Sequence, residues 1–118
     1  MPRPHYKLQA WKSAMELVKQ VYELTGKLPA EEIYGLTSQM RRAAVSVPSN
    51  LAEGAARNGV KEFSQFIGVA KGSLSELKTQ LLISEDLGYI DSRDEIFEKV
   101  EHVSRLVAGL QTSLEKNR

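Results

Sequence analysis

The sequence predicts an all-α protein folded as an antiparallel up-and-down four-helix bundle. Three observations carry that reading. Apolar residues recur at steps of three and four along four separate segments, the period of a helix with one buried face. No stretch reads as a credible strand. The links after the second and third segments span only a few residues, which turns consecutive helices back on one another. At 118 residues the chain reads as one domain, 1–118, long enough to bury roughly two-thirds of its unfolded surface.

The first helix is expected from about Leu8 to Lys27. Ala10, Ala14, Leu17, Val21, Leu24 and Leu28 form one stripe, with Trp11, Met15, Val18 and Tyr22 beside it. Together they make an apolar face wider than a single seam requires. Lys12, Glu16, Lys19, Glu23 and Lys27 take the opposite, solvated side. The connector Pro29–Gly35 has room for one helical turn after Pro29.

Thr37 is the expected N-cap of the second helix, which should end near Ala56 or Arg57. Asn58 is the expected cap of the third, which continues to about Leu87 through Phe63, Ile67, Ala70, Leu74, Leu77 and Leu81. Gly88 closes it in the position that favours a left-handed glycine. Ser92-Arg93-Asp94-Glu95 reads as a capping box. The fourth helix then steps Ile96, Val100, Val103, Val107, Leu110, Leu114, a heptad seam.

Composition sets bounds on function. Hydrophobic and charged fractions of 42% and 26% belong to a globular protein. No apolar run approaches the roughly 20 residues of a membrane span, and the start has no apolar signal-peptide core. With zero cysteines there is no disulfide framework and no Cys-ligated metal site. The expectation is a cytoplasmic protein with no membrane partner. The formal net charge of +1 is lower than a committed nucleic-acid binder usually advertises.

The second helix carries the oddest pattern. Met40, Ala44, Val47 and Leu51 keep a buried rhythm, yet Pro48 interrupts it among Ser46, Ser49 and Asn50. Proline in a helix interior costs about 3 kcal/mol and here frees the Ala44 carbonyl. A nearby Ser or Asn side chain or a water is the expected partner for that oxygen, in a kinked helix. Gln39, Arg42, Ser46, Asn50, Glu53 and Arg57 share one polar face. Two readings stand: a solvated face, or a polar network set against another helix or subunit. On the third helix Ser64, Gly68, Gly72, Ser75 and Thr79 form a stripe of small residues suited to close helix packing, with Glu76 and Gln80 beside it. If the network is real, Arg42→Ala and Glu53→Ala should harm fold or assembly more than Lys12→Ala.

The run Gln39-Met40-Arg41-Arg42-Ala43-Ala44-Val45-Ser46-Val47-Pro48-Ser49-Asn50-Leu51-Ala52-Glu53-Gly54 resembles the signature of the four-helix-bundle proteins encoded in intervening sequences of bacterial 23S ribosomal RNA genes. Lys61-Glu62-Phe63, Gly72-Ser73-Leu74-Ser75-Glu76-Leu77 and Leu87-Gly88-Tyr89-Ile90 resemble its later motifs, and Trp11 with Pro29-Ala30-Glu31 its beginning. The resemblance covers nearly the whole chain. It implies a four-helix monomer that assembles into a ring, typically a pentamer. It also implies kinship with accessory proteins of diversity-generating retroelements, which bind nucleic acid and a reverse transcriptase. Those accessory proteins are strongly basic; this chain is not.

No catalytic constellation emerges. A bundle di-iron site needs two Glu-x-x-His motifs, and the residue three before His102 is Lys99. Gly54–Lys61 superficially resembles a phosphate loop but has a residue too many and no following Ser or Thr. Glu53 and Glu76 read either as a buried acidic pair or, better, as partners of Arg42 or Arg57. No catalytic residue, metal, cofactor or small-molecule substrate is expected. Arg41, Arg42, Arg57 and Lys61 form a candidate nucleic-acid contact near one end, supported by Arg3, Lys7 and Lys12. Trp11 and Tyr6 offer stacking, although Trp11 falls in register with core positions and is expected to be buried. Two functions result: a non-enzymatic, self-assembling scaffold or adaptor, and an RNA- or DNA-binding accessory protein.

Overall fold

The computed structural model describes residues 4–116, apart from the side chains of 4–6 and 8. Four helices follow one another: α1 (Pro4–Thr25), α2 (Leu36–Ala55), α3 (Val60–Asp86) and α4 (Glu95–Lys116). A 3-10 turn at Ala30–Glu32 occupies the α1–α2 connector, as Pro29 suggested. The described residues include no strand.

α1 starts earlier than its apolar stripe because Pro4 suits a first helical position, where no N–H is needed. It ends at Thr25, short of the expected Lys27. The Thr25 hydroxyl donates to the Val21 carbonyl at 2.7 Å, and the Arg41 guanidinium arrives from α2 to donate to that same hydroxyl at 2.8 Å. The last turn is thereby closed from outside.

Three expected caps are corrected. Thr37 lies inside α2 and is buried; Gly35 holds the cap position. The Glu32 carboxylate reaches from the 3-10 turn to accept the Leu36 amide at 3.2 Å. A Cβ on Gly35 would stand 2.8 Å from that carboxylate oxygen, so glycine leaves the room. Gly59, not Asn58, caps α3, with a φ of 141° that side-chain-bearing residues rarely adopt. Asp94, not Ser92, caps α4, its carboxylate accepting the Ile96 amide at 2.9 Å. The α3 terminus matches expectation. Gly88 at φ 80° follows Leu87, and the Tyr89 amide returns to the Ser84 carbonyl at 2.9 Å, a Schellman closure.

Cross-helix contacts fix the arrangement. Arg41 meets Thr25, whereas Leu51 and Ala55 meet Trp11, so α1 and α2 run antiparallel. Met40 faces Ser84, Ser46 faces Ser73 and Gly54 faces Phe63, which sets α3 antiparallel to α2. Lys78 to Glu101 and Lys71 to Gln111 do the same for α4. Each helix packs on two neighbours, and the diagonal pairs stay apart.

The core fills this square. Ala10, Ala14, Leu17 and Val21 of α1 meet Met40, Ala44, Val47 and Leu51 of α2, Ile67, Leu74, Leu77 and Leu81 of α3, and the whole α4 seam from Ile96 to Leu114. Burying each Val, Leu, Ile or Met side chain among these contributes about 1.5–3 kcal/mol, and each alanine methyl less. α2 passes through the buried Pro48 as one continuous helix. The Asn50 amide serves the Ser46 carbonyl at 2.8 Å rather than the Ala44 carbonyl the sequence pointed to.

Candidate interaction face

α2 forms a corner of the square, and a groove runs along each side of it. Toward α1, a groove of about 590 Å³ is lined by Tyr22, Ile33, Tyr34, Arg41, Arg42 and Val45. Further along the same face Trp11, Leu51, Ala52 and Phe63 line a smaller apolar hollow of about 270 Å³. Toward α3, a polar groove of about 520 Å³ is lined by Gln39, Arg42, Ser46, Ser73, Glu76 and Gln80.

The α1–α2 face is apolar where it should be wet. Trp11 is 37% exposed, Met15 45%, Tyr22 44%, and Tyr34 94%, with Ile33 and Val45 also open. The expected burial of Trp11 is therefore corrected. It sits on the rim of the stripe, where a square bundle cannot enclose a face that wide. The two flanks of α4 differ in kind. Lys99 reaches Glu16 of α1 at 2.6 Å, and Lys78 of α3 reaches Glu101 at 2.7 Å. Hydrogen bonds and charge from those lysines hold the Glu16 and Glu101 carboxyls below their ordinary range.

The polar stripe of α2 divides. Its middle is a network: Ser46 and Ser73 hydroxyls share a hydrogen bond at 2.7 Å, and the Asn50 amide donates to the Ser46 hydroxyl at 2.9 Å. Its ends are open. Gln39 and Arg42 are exposed, and Glu53 pairs with Arg57 along the helix at 2.8 Å. Such an i,i+4 surface pair is worth a few tenths of a kcal/mol. Glu53 and Glu76 are both exposed and stand on different helices, so the buried acidic pair does not exist.

The basic candidates do not converge. Arg41 and Arg42 lie near the start of α2 and Arg57 and Lys61 beyond its end, a separation of roughly 22 Å at helical rise. Arg41 is committed to α1, capping Thr25 and stacking 4.5 Å over the Tyr22 ring. Arg57 lies 5.1 Å over the Phe66 ring. Arg57 and Lys61 instead share their end of the bundle with Lys7 and Lys116 and with the carboxylates of Glu53, Glu62 and Glu115, while at the other end Glu31, Glu32, Glu85, Asp86, Asp91, Asp94 and Glu95 outnumber Lys27, Arg41, Arg42 and Arg93. The charge is polarised along the bundle axis.

Gly68, Gly72 and Ser75 are exposed, and a Cβ on either glycine would meet nothing within 4 Å. The tight glycine is Gly54, whose Cβ would lie 2.8 Å from Cβ of Phe66 and 2.9 Å from Phe63. The sequence pattern marks Gly54 only as the end of the family run and the start of the rejected phosphate-loop match. Its spacing from Met40 and Leu51 on the buried face was the available signal. Tyr34 and Ile33 were passed over as connector; an aromatic beside glycine in a short turn was their only sign.

Among the described residues no group of three His, Asp or Glu side chains converges as a metal site, and no helix is long and apolar enough to cross a membrane. The family model described as 23S rRNA-intervening sequence protein matches residues 6–109. The chain belongs to that family. The 23S rRNA-intervening sequence match runs from the first turn of α1 into α4 and takes in both grooves beside α2. No curated protein matches the chain.

Proposed function

We propose that this protein is a non-enzymatic cytoplasmic bundle that assembles into a ring-like homo-oligomer, a pentamer by family resemblance, and serves as a scaffold or adaptor. One observation carries the reading. Large apolar side chains crowd the α1–α2 face, while ion pairs bridge both flanks of α4. Large apolar side chains exposed together along one face favour a place where protein meets protein. Aromatic anchors such as Trp11, Tyr22 and Tyr34 suit such a contact. The test is the mass in solution at tens of micromolar. A multiple of the 13.2 kDa chain supports the reading, and a 13.2 kDa species rejects it.

The axial charge separation favours a second reading, an RNA- or DNA-binding accessory protein that uses the pole of Lys7, Arg57, Lys61 and Lys116. Ring closure would repeat that pole around one rim and raise its field. Filter binding across a salt series discriminates. Phosphate contacts give affinity that falls steeply with salt, and no retention at low salt removes this reading.

A further inference from the structure

The first turn of α2 lines the α1–α2 groove with donors that have no acceptor among the described residues. Glu32 accepts the Leu36 amide, and the Gln39 amide donates to the Gly35 carbonyl at 3.0 Å. Between them the amides of Thr37 and Ser38 stay open. Thr37 lines the groove and is only 5% exposed, yet its hydroxyl forms no hydrogen bond among the described residues. That hydroxyl is not sealed in, since the enclosed and unpartnered side-chain atoms are those of Ser13 and Gln80. It opens onto the groove that Thr37 lines. A polar group this buried and this unsatisfied is placed to meet a guest.

Ser38 and Arg42 stand on the same groove, also without a partner among the described residues. Arg41 closes the α1 wall, held on Thr25 and over the Tyr22 ring. Open amides at a helix N-terminus with hydroxyls and guanidinium groups beside them suit a phosphate. Of the carboxylates in the preceding turn, Glu31 is exposed, and Glu32 already accepts from the Leu36 amide and the Tyr89 hydroxyl. Tyr34, Ile33 and Val45 supply the other walls, flat and apolar. At about 590 Å³ the groove has the size of a small-ligand site. The geometry points to a binding site for a nucleoside monophosphate, its phosphate on Thr37, Ser38 and Arg42 and its base against Tyr34 and Ile33. A free nucleotide and the phosphorylated end of a nucleic-acid strand present that same group. The site is complete within one chain, so it does not rest on the self-association proposed above.

Calorimetric titration in phosphate-free, low-salt buffer tests the site. The probes are adenosine monophosphate, adenosine, inorganic phosphate, and a single-stranded tetranucleotide with and without a terminal phosphate. The monophosphate should bind once per chain, with adenosine and inorganic phosphate weaker by about tenfold or more. Arg42→Ala should weaken it about tenfold, and Thr37→Val, which keeps the shape and removes the hydroxyl, about fivefold. Arg105→Ala on α4 removes the same charge elsewhere and should change nothing. Binding of the phosphorylated tetranucleotide alone supports the site and assigns its ligand to a strand end; binding of the monophosphate alone assigns a free nucleotide. Three results overturn the site: neither phosphorylated probe binds, a probe lacking either the phosphate or the base binds as tightly as its complete counterpart, or affinity ignores both Arg42→Ala and Thr37→Val.

Discussion

A Cβ built on Gly54 of α2 lies 2.8 Å from the Cβ of Phe66 on α3, closer than real Cβ atoms come. The α2 backbone lies this close to the Phe66 and Phe63 side chains of α3 because residue 54 has no side chain of its own. Gly54→Ala should therefore destabilise the bundle by roughly 1–3 kcal/mol through overpacking. Helix propensity alone would favour alanine by about 1 kcal/mol. Urea unfolding gives the sign directly. A variant more stable than the parent would mean that the contact yields freely.

Gly68→Ala and Gly72→Ala predict the opposite sign. Both positions look onto open space within the subunit. Each should stabilise the subunit by up to about 1 kcal/mol. Thermal unfolding of dilute protein checks this. A loss that appears only at concentrations where the protein associates would place the stripe in a subunit contact.

Arg41→Ala should cost about 1–2 kcal/mol, since it removes the hydrogen bond to buried Thr25 and the stack on Tyr22. Arg42→Ala should leave subunit stability within about 0.5 kcal/mol, as Lys12→Ala should. Adjacent arginines thus divide between holding α1 and facing the grooves. Equal losses from both would refute that division.

Asp94→Ala should cost about 1 kcal/mol and Ser92→Ala under about 0.5 kcal/mol. Chemical denaturation of the pair separates the observed cap from the Ser-x-x-Glu reading. The reverse order would restore the capping box.

Acid should loosen α4 first. Glu16, Asp91 and Glu101 have carboxyls held below their ordinary values, by Lys99, Arg93 and Lys78 respectively. Their contribution is present above the unfolded carboxylate value and is lost as pH falls through the lowered folded values. Tm should drop on acidification below about pH 4.5, and less so in high salt, which already screens these exposed pairs. An acid decline unaffected by Lys78→Met and Lys99→Met would assign it to other groups.

The buried stripes were legible because burial imposes the helical period directly. Every residue of the Ile96–Leu114 seam is buried. Caps were harder to read. The side-chain-oxygen rule selects Thr37, Asn58 and Ser92, whereas the chain uses Gly35 with a carboxylate from three residues away, Gly59 in a left-handed turn, and Asp94. Trp11 illustrates a second limit. A wide apolar stripe does not reveal which edge the neighbouring helix leaves uncovered. Arg41 illustrates a third, since its partner Thr25 is set by the α1–α2 crossing and not by local sequence. The separation of the basic residues was readable, for α2 itself lies between them. The Ser46–Asn50–Ser73 network was half visible, as polar residues at helical spacing whose partner helix only the packing supplies.

The Tyr89–Glu32 hydrogen bond joins the α1–α2 connector to the α3–α4 turn, 57 residues apart in the chain. Both hairpins are latched together at that pole. The latch ties the connector to the far hairpin, so amide protons of the Ala30–Glu32 turn should exchange faster with solvent in a Tyr89→Phe variant than in the parent.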